Sequence, residues 1–175
     1  MDKELIKGLI AEYQQFVKSV SFVKRAVTLS DNFNYVFVGL RRVGKSYLMY
    51  QQIHHLIETG ISPEEILFFN FEDERIAGMD TEHLDMIKRC YEEMYSHRPI
   101  FFLDEIQIVP HWEQFVRRLA DQKYRVYVTG SNAKMLSKDI ATTLGGRFMI
   151  QYVYPFSFRE YLSSNGVQLD KLWIY

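Results

Sequence analysis

Apolar residues recur at helical spacing at the start of the chain, at Leu5, Ile6, Leu9, Ile10, Tyr13, Phe16, Val17 and Val20. That pattern predicts an amphipathic helix whose apolar stripe packs on the main body. Further along, the pattern changes to short apolar runs at Tyr35–Gly39, Ile66–Phe71, Ile100–Asp104, Arg125–Thr129 and Arg147–Val153. Each is rich in aromatic or β-branched residues and reads as a strand. Helical spacing returns between them. One helix is expected over Lys45–Ile57, stopping near Gly60, and Ser62-Pro63-Glu64-Glu65 predicts a helical turn closed by a capping box. Asp80 or Thr81 caps the next helix, with Leu84, Ile87, Tyr91 and Met94 facing inward. Another starts near Pro110 and buries Trp112, Phe115, Val116 and Leu119; a third runs from about Ala133 to Leu144 and ends at Gly145-Gly146 in a left-handed cap. Strands separated by helices of this length imply right-handed crossovers, an α/β fold and a parallel sheet covered on both faces.

Composition narrows this only slightly. The chain has 175 residues, 47% of them hydrophobic and 15% aromatic, enough for one domain with a sizeable core. With 21 basic and 22 acidic residues it carries no global field that would draw it to nucleic acid or membrane. A single cysteine, Cys90, excludes an internal disulfide and reads as a small buried hydrophobe. Charges at Asp2, Lys3, Glu4 and Lys7 occupy the place of a secretory apolar core, and no run is long enough to span a membrane. The expected setting is cytoplasmic, with no membrane partner.

Candidate chemistry changes the picture more. Gly39-Leu40-Arg41-Arg42-Val43-Gly44-Lys45-Ser46 has the spacing of a phosphate-binding loop, lying between an apolar run and a helical pattern. Glycine at both ends allows backbone N–H groups to curl around an anion. Lys45 reaches the β- and γ-phosphates, Ser46 ligates Mg²⁺, and the helix N-terminus adds partial positive charge. The nucleotide-binding set is read as Gly39, Arg41, Arg42, Val43, Gly44, Lys45, Ser46 and Tyr47, joined by Ser131. A second run, Ile100-Phe101-Phe102-Leu103-Asp104-Glu105, delivers two carboxylates to the carboxyl edge of the sheet, where open α/β folds bind ligands. Asp104 is placed to hold the Mg²⁺ hydration shell beside Ser46, and Glu105 to polarise the attacking water. A third, Val126-Tyr127-Val128-Thr129-Gly130-Ser131-Asn132, ends in hydroxyl and amide groups. If that strand lies between the other two, Ser131 or Asn132 faces the γ-phosphate.

Together with Leu103-Asp104-Glu105-Ile106-Gln107, Thr129-Gly130-Ser131-Asn132, Leu144-Gly145-Gly146-Arg147 and Pro155-Phe156-Ser157-Phe158-Arg159-Glu160-Tyr161, the loop resembles the AAA-type P-loop ATPase domain of a large prokaryotic group. Members of that group usually continue into a C-terminal domain of unknown function. The resemblance runs from about Arg25 to Leu162 and implies a three-layer P-loop NTPase sandwich of about five strands, in the order 5-1-4-3-2, with ATP and Mg²⁺ as ligands. It makes Arg147 the candidate arginine finger or γ-phosphate sensor, acting in its own chain or on a neighbour. The domain reading is an N-terminal helix over 1–30, a P-loop core over 31–155 and, over 156–175, the start of a helical extension cut short.

The expected function is Mg-dependent ATP binding and hydrolysis, with Glu105, Lys45, Asn132 and Arg147 as the catalytic set. The alternative is an ATP-binding switch with little turnover, read by a partner or a further domain. A GTPase would need an Asn-Lys-x-Asp motif, which the chain lacks, and a helicase would need a second motor domain. A small-molecule kinase normally closes a basic lid over an acceptor, and Glu105 suits water better. ATP or ADP is the expected small partner, and assembly into a homo-oligomer is compatible with the reading. Nucleic acid has only a scattered basic strip, Arg117, Arg118, Lys123, Lys134 and Lys138, in its favour. Glu72 to Arg75 reads as a solvated turn with a local salt bridge. The five histidines, at 54, 55, 83, 97 and 111, show no zinc-ligand spacing.

Overall fold

The computed structural model describes residues 2–131, 135 and 139–167. Its centre is a five-stranded, all-parallel sheet in the order 2-3-4-1-5. This is the order the family resemblance implies. The strands are β1 (Asn34–Val38), β2 (Ile66–Asn70), β3 (Ile100–Asp104), β4 (Val126–Gly130) and β5 (Phe148–Tyr152). All five fall where the apolar runs predicted them, with bounds shifted by at most one residue. Apart from Asn34 and Asn70, every residue of β1 to β4 is buried, as parallel strands covered on both faces require. β5 is an edge strand and exposes Met149 and Tyr152.

The helices are α1 (Lys3–Ser19), α2 (Lys45–Glu58), α3 (Thr81–Met94), α4 (Trp112–Asp121), α5 (Asp139–Thr143) and α6 (Phe158–Ser164). Helix α1 starts at an Asp2 cap, buries Ile6, Leu9, Ile10, Tyr13 and Val17, and packs against β2, α2 and α3. Each fully buried aliphatic side chain there contributes about 1.5–3 kcal/mol before entropy is counted. Its one buried amide, Gln14, is satisfied: it donates to the Ile66 carbonyl at 3.0 Å and accepts from the Tyr95 hydroxyl at 2.6 Å. Both expected caps form, at Ser62 and at Asp80. Met94 is only partly buried. The third expected helix is described only over its end, at α5, where Gly145 and Gly146 take φ of +62° and +67° and donate to the carbonyls of Thr142 and Ala141.

Aromatic rings cross the sheet in one row. Phe102 stacks on Tyr127 at 4.5 Å and Tyr127 on Tyr35 at 5.9 Å, tying β3, β4 and β1 together. Glu74–Ile76 and Ile106–Ile108 form single 3-10 turns that the apolar pattern did not signal. In the first, Asp73 accepts from the Tyr13 hydroxyl and pairs with Arg75, which also grips Glu12 of α1. The expected salt-bridged turn is thus also a fastening for α1.

Candidate nucleotide site

In a parallel sheet every strand delivers its last residues to the same edge. Insertion of β4 between β1 and β3 brings the loop after β1 beside Asp104, Glu105 and Ser131. The loop is bent by left-handed backbone at Arg42 (φ +65°) and Gly44 (φ +92°), the alternation that gathers N–H groups into an anion-binding concavity. Gly39 has a different reason: a Cβ there would run into the carbonyl of Val153, where the chain leaves β5. Gly44 then caps α2, whose first residues are Lys45 and Ser46.

The polar groups form one linked set. Ser46 Oγ donates to Asp104 Oδ1 at 3.1 Å. Lys45 Nζ donates to the Leu40 carbonyl at 3.2 Å and lies 3.4 Å from Glu105 Oε1, with both charged side chains almost fully enclosed. Ser131 Oγ and Gln107 Nε2 both donate to Glu105 Oε2, at 2.8 and 2.6 Å. Thr129, fully buried at the end of β4, donates its hydroxyl to Asp104 and accepts from the Glu105 N–H at 2.8 Å. Glu105 itself sits at φ +53°, a conformation costing a non-glycine residue about 1 kcal/mol or more. Burial pushes the Asp104 carboxyl up to about 6, against the hydrogen bonds from Thr129 and Ser46.

A cleft of about 710 Å³ adjoins the loop. It is lined by Ser21, Phe22, Val23 and Arg25 before β1, by Arg42, Val43, Gly44 and Tyr47 of the loop and α2, and by Pro155 and Phe156 after β5. Arg25 organises it. Its guanidinium donates to the carbonyls of Val43 and Tyr154 and to Glu160 Oε1 at 2.8 Å, and lies 4.8 Å from the centre of the Phe156 ring. Its backbone N–H donates to the Gln51 side chain of α2.

Of the expected residues that the structure describes, Arg147 and the side chain of Arg41 stand apart, and the rest lie at or beside the loop. Asn132 lies outside the described residues, as do Lys134 and Lys138 of the basic strip. Arg147 precedes β5 and so stands at the opposite, amino edge, about 16 Å of strand away at 3.3 Å per residue. There it pairs with Asp121, and its carbonyl accepts from Asn34. Arg41 points outward to Glu72 at 3.5 Å, and Tyr47 is half exposed, edge-on to Tyr50. Sequence reading missed Thr129 as a bridge between Asp104 and Glu105. A hydroxyl at the end of an otherwise apolar strand was its only signal. Phe22, Val23, Arg25, Pro155 and Phe156 were missed too, because nothing periodic marks them.

A family profile described as AAA domain matches residues 31–162. The chain belongs to this AAA domain family. An uncharacterized protein of Methanocaldococcus jannaschii is 32% identical over 171 residues, covering 97% of the chain and 37% of that relative. An uncharacterized protein of Haemophilus influenzae is 35% identical over 162 residues, covering 87% of the chain and 40% of its own length. The chain thus spans well under half the length of these curated relatives. Among solved structures, the Aeropyrum pernix ORC1 protein in complex with DNA is similar at 15% identity and a TM-score of 0.46, over 94% of this chain and 49% of that one. Among the described residues no helix is long and apolar enough to cross a membrane.

Proposed function

We propose that this AAA domain binds Mg-ATP at the carboxyl edge of its sheet and hydrolyses the γ-phosphate with Glu105 as general base. The observation that carries this is the single linked set of Lys45, Ser46, Asp104, Glu105 and Ser131 beside the loop. Phosphate binding draws the Lys45 ammonium away from the Leu40 carbonyl and Glu105. Ser46 and Asp104 fit magnesium by the chemistry of their donors, one neutral and one anionic oxygen, and would hold it there. Bound there, the ion would neutralise charge on the β- and γ-phosphates. Glu105, freed of Lys45, takes a proton from water as the water oxygen bonds to phosphorus and the bond to the ADP oxygen breaks. Ser131 contacts the same carboxylate and so connects the state of the γ-phosphate to β4. The cleft between Phe22, Val23, Tyr47 and Phe156 suits a planar base, with Arg25 fixing its walls.

A second reading, a switch that holds ATP with little turnover, is favoured by one observation: Arg147 stands far from the loop of its own chain. A lone chain then lacks the arginine that would complete the site. Mg-dependent ATP turnover tests the first reading. Glu105→Gln should lower kcat by about 100-fold or more with ATP affinity kept, and Lys45→Ala should lose nucleotide binding. Unchanged turnover in Glu105→Gln, or retained micromolar affinity in Lys45→Ala, would overturn it.

A further inference from the structure

We propose that Gln107 is a positioning residue for the hydrolytic step, holding Glu105 so that one carboxylate oxygen, and only one, is presented to the attacking water. The proposal rests on the reading of Glu105 as general base. Glu105 Oε2 receives two donors, the Gln107 amide at 2.6 Å and the Ser131 hydroxyl at 2.8 Å, while Oε1 faces the Lys45 ammonium. When Lys45 turns to phosphate, Oε1 is the oxygen left with open lone pairs, and Oε2 stays held. A terminal carboxylate is otherwise broad in rotation about its last bond, so two donors on one oxygen select its orientation. The same logic orients a catalytic base through a third group in nucleophile–base–orienter sets.

The local backbone is built for this contact. Glu105 in the left-handed region opens the 3-10 turn Ile106–Ile108, which folds Gln107 back over it. On the other side Gly130 makes room, since a Cβ there would strike Gln107 Oε1 and the Met135 side chain. An amide facing a carboxylate must present its NH₂ end, which leaves Oε1 inward; that atom is buried and has no hydrogen-bond partner among the described residues. The amide is also neutral. It holds the base without a positive charge that would quench it, which a lysine or arginine at this place would do.

Gln107→Met keeps the volume and removes the donor. The expected result is a fall in kcat of about 10- to 100-fold, with the dissociation constant of a fluorescent ATP analogue and the melting temperature within error of the parent. Gln107→Asn, with its amide drawn back by one methylene, should fall between. In the Glu105→Gln background Gln107→Met should cost nothing further, because there is no base left to orient. A kcat within twofold of the parent, an additive loss in that background, or a nucleotide affinity that weakens in step with kcat would each overturn the proposal. Parent turnover that Glu105→Gln leaves intact would overturn the general-base reading and this one with it. Turnover that needs Glu105 but ignores Gln107→Met would overturn this one alone.

Discussion

Asp104 shows what the site costs the fold. Its carboxylate is buried, and burial holds its carboxyl near 6, well above the ordinary aspartate value. A folded-state value raised in this way means that the ionised form is disfavoured by folding. Stability is therefore lost as pH rises through that window and is not recovered at neutral pH. Asp104→Asn keeps the shape and the acceptor for Ser46 and Thr129 but removes the buried charge. The nucleotide-free variant should be more stable by about 1–2 kcal/mol, roughly 3–6 °C in Tm by calorimetry. Its affinity for Mg-nucleotide should fall at least about tenfold. An Asn variant that melts lower than the parent would show instead that the buried charge is compensated. Asp104, Glu105 and Lys45 were legible in the sequence because each sits at fixed spacing from a strand or a glycine. Thr129 was not. Its role depends on β4 lying beside β3, a relation between segments about 25 residues apart that no local pattern encodes.

At the scale of elements, α6 is held by one ion pair as well as by its own cap. Glu160 receives the Ser157 N–H and hydroxyl, closing a capping box, and also the Arg25 guanidinium, with 9% and 12% of the two charged side chains exposed. Burial works against ionisation, but the Ser157 hydrogen bonds and Arg25 outweigh it and hold the Glu160 carboxyl at about 2. The sign is the reverse of Asp104. This contribution is complete above pH 4.5, the ordinary glutamate value, and is lost as pH falls toward 2. Glu160→Gln should lower stability at neutral pH by about 1 kcal/mol and flatten the stability curve across that acid window. A curve of unchanged slope between those limits would count against the pair. Sequence reading gave every strand and the four longest helices to within a few residues, since period and caps are local properties. It could not give Arg25, whose partner Glu160 lies 135 residues away.

Across the whole molecule the candidate residues fall on two opposite edges of the sheet. Lys45, Ser46, Asp104 and Glu105 stand at the carboxyl edge and Arg147 at the amino edge, so one chain cannot use its own Arg147 on its own nucleotide. That much was legible in principle, because Arg147 precedes a parallel strand while the loop follows one. If a neighbour's Arg147 completes the site, specific activity should rise with protein concentration. Mixing inactive Arg147→Ala with inactive Glu105→Gln should then restore turnover that neither variant shows alone. Failure of the mixture to recover any activity would exclude that division of roles. The cleft beside the loop has a different dependence on the whole chain. Its lining draws on Ser21, Phe22, Val23 and Arg25 before the sheet and on Pro155 and Phe156 after it, and the Arg25–Glu160 contact closes a loop of almost the entire core. Loop closure of that span is entropically costly, as it is for the β1–β5 pairing, which joins Tyr35 to Met149. The flanks of the cleft are therefore brought together by the same kind of long-range closure that completes the sheet, and fraying at either end of the core would part them.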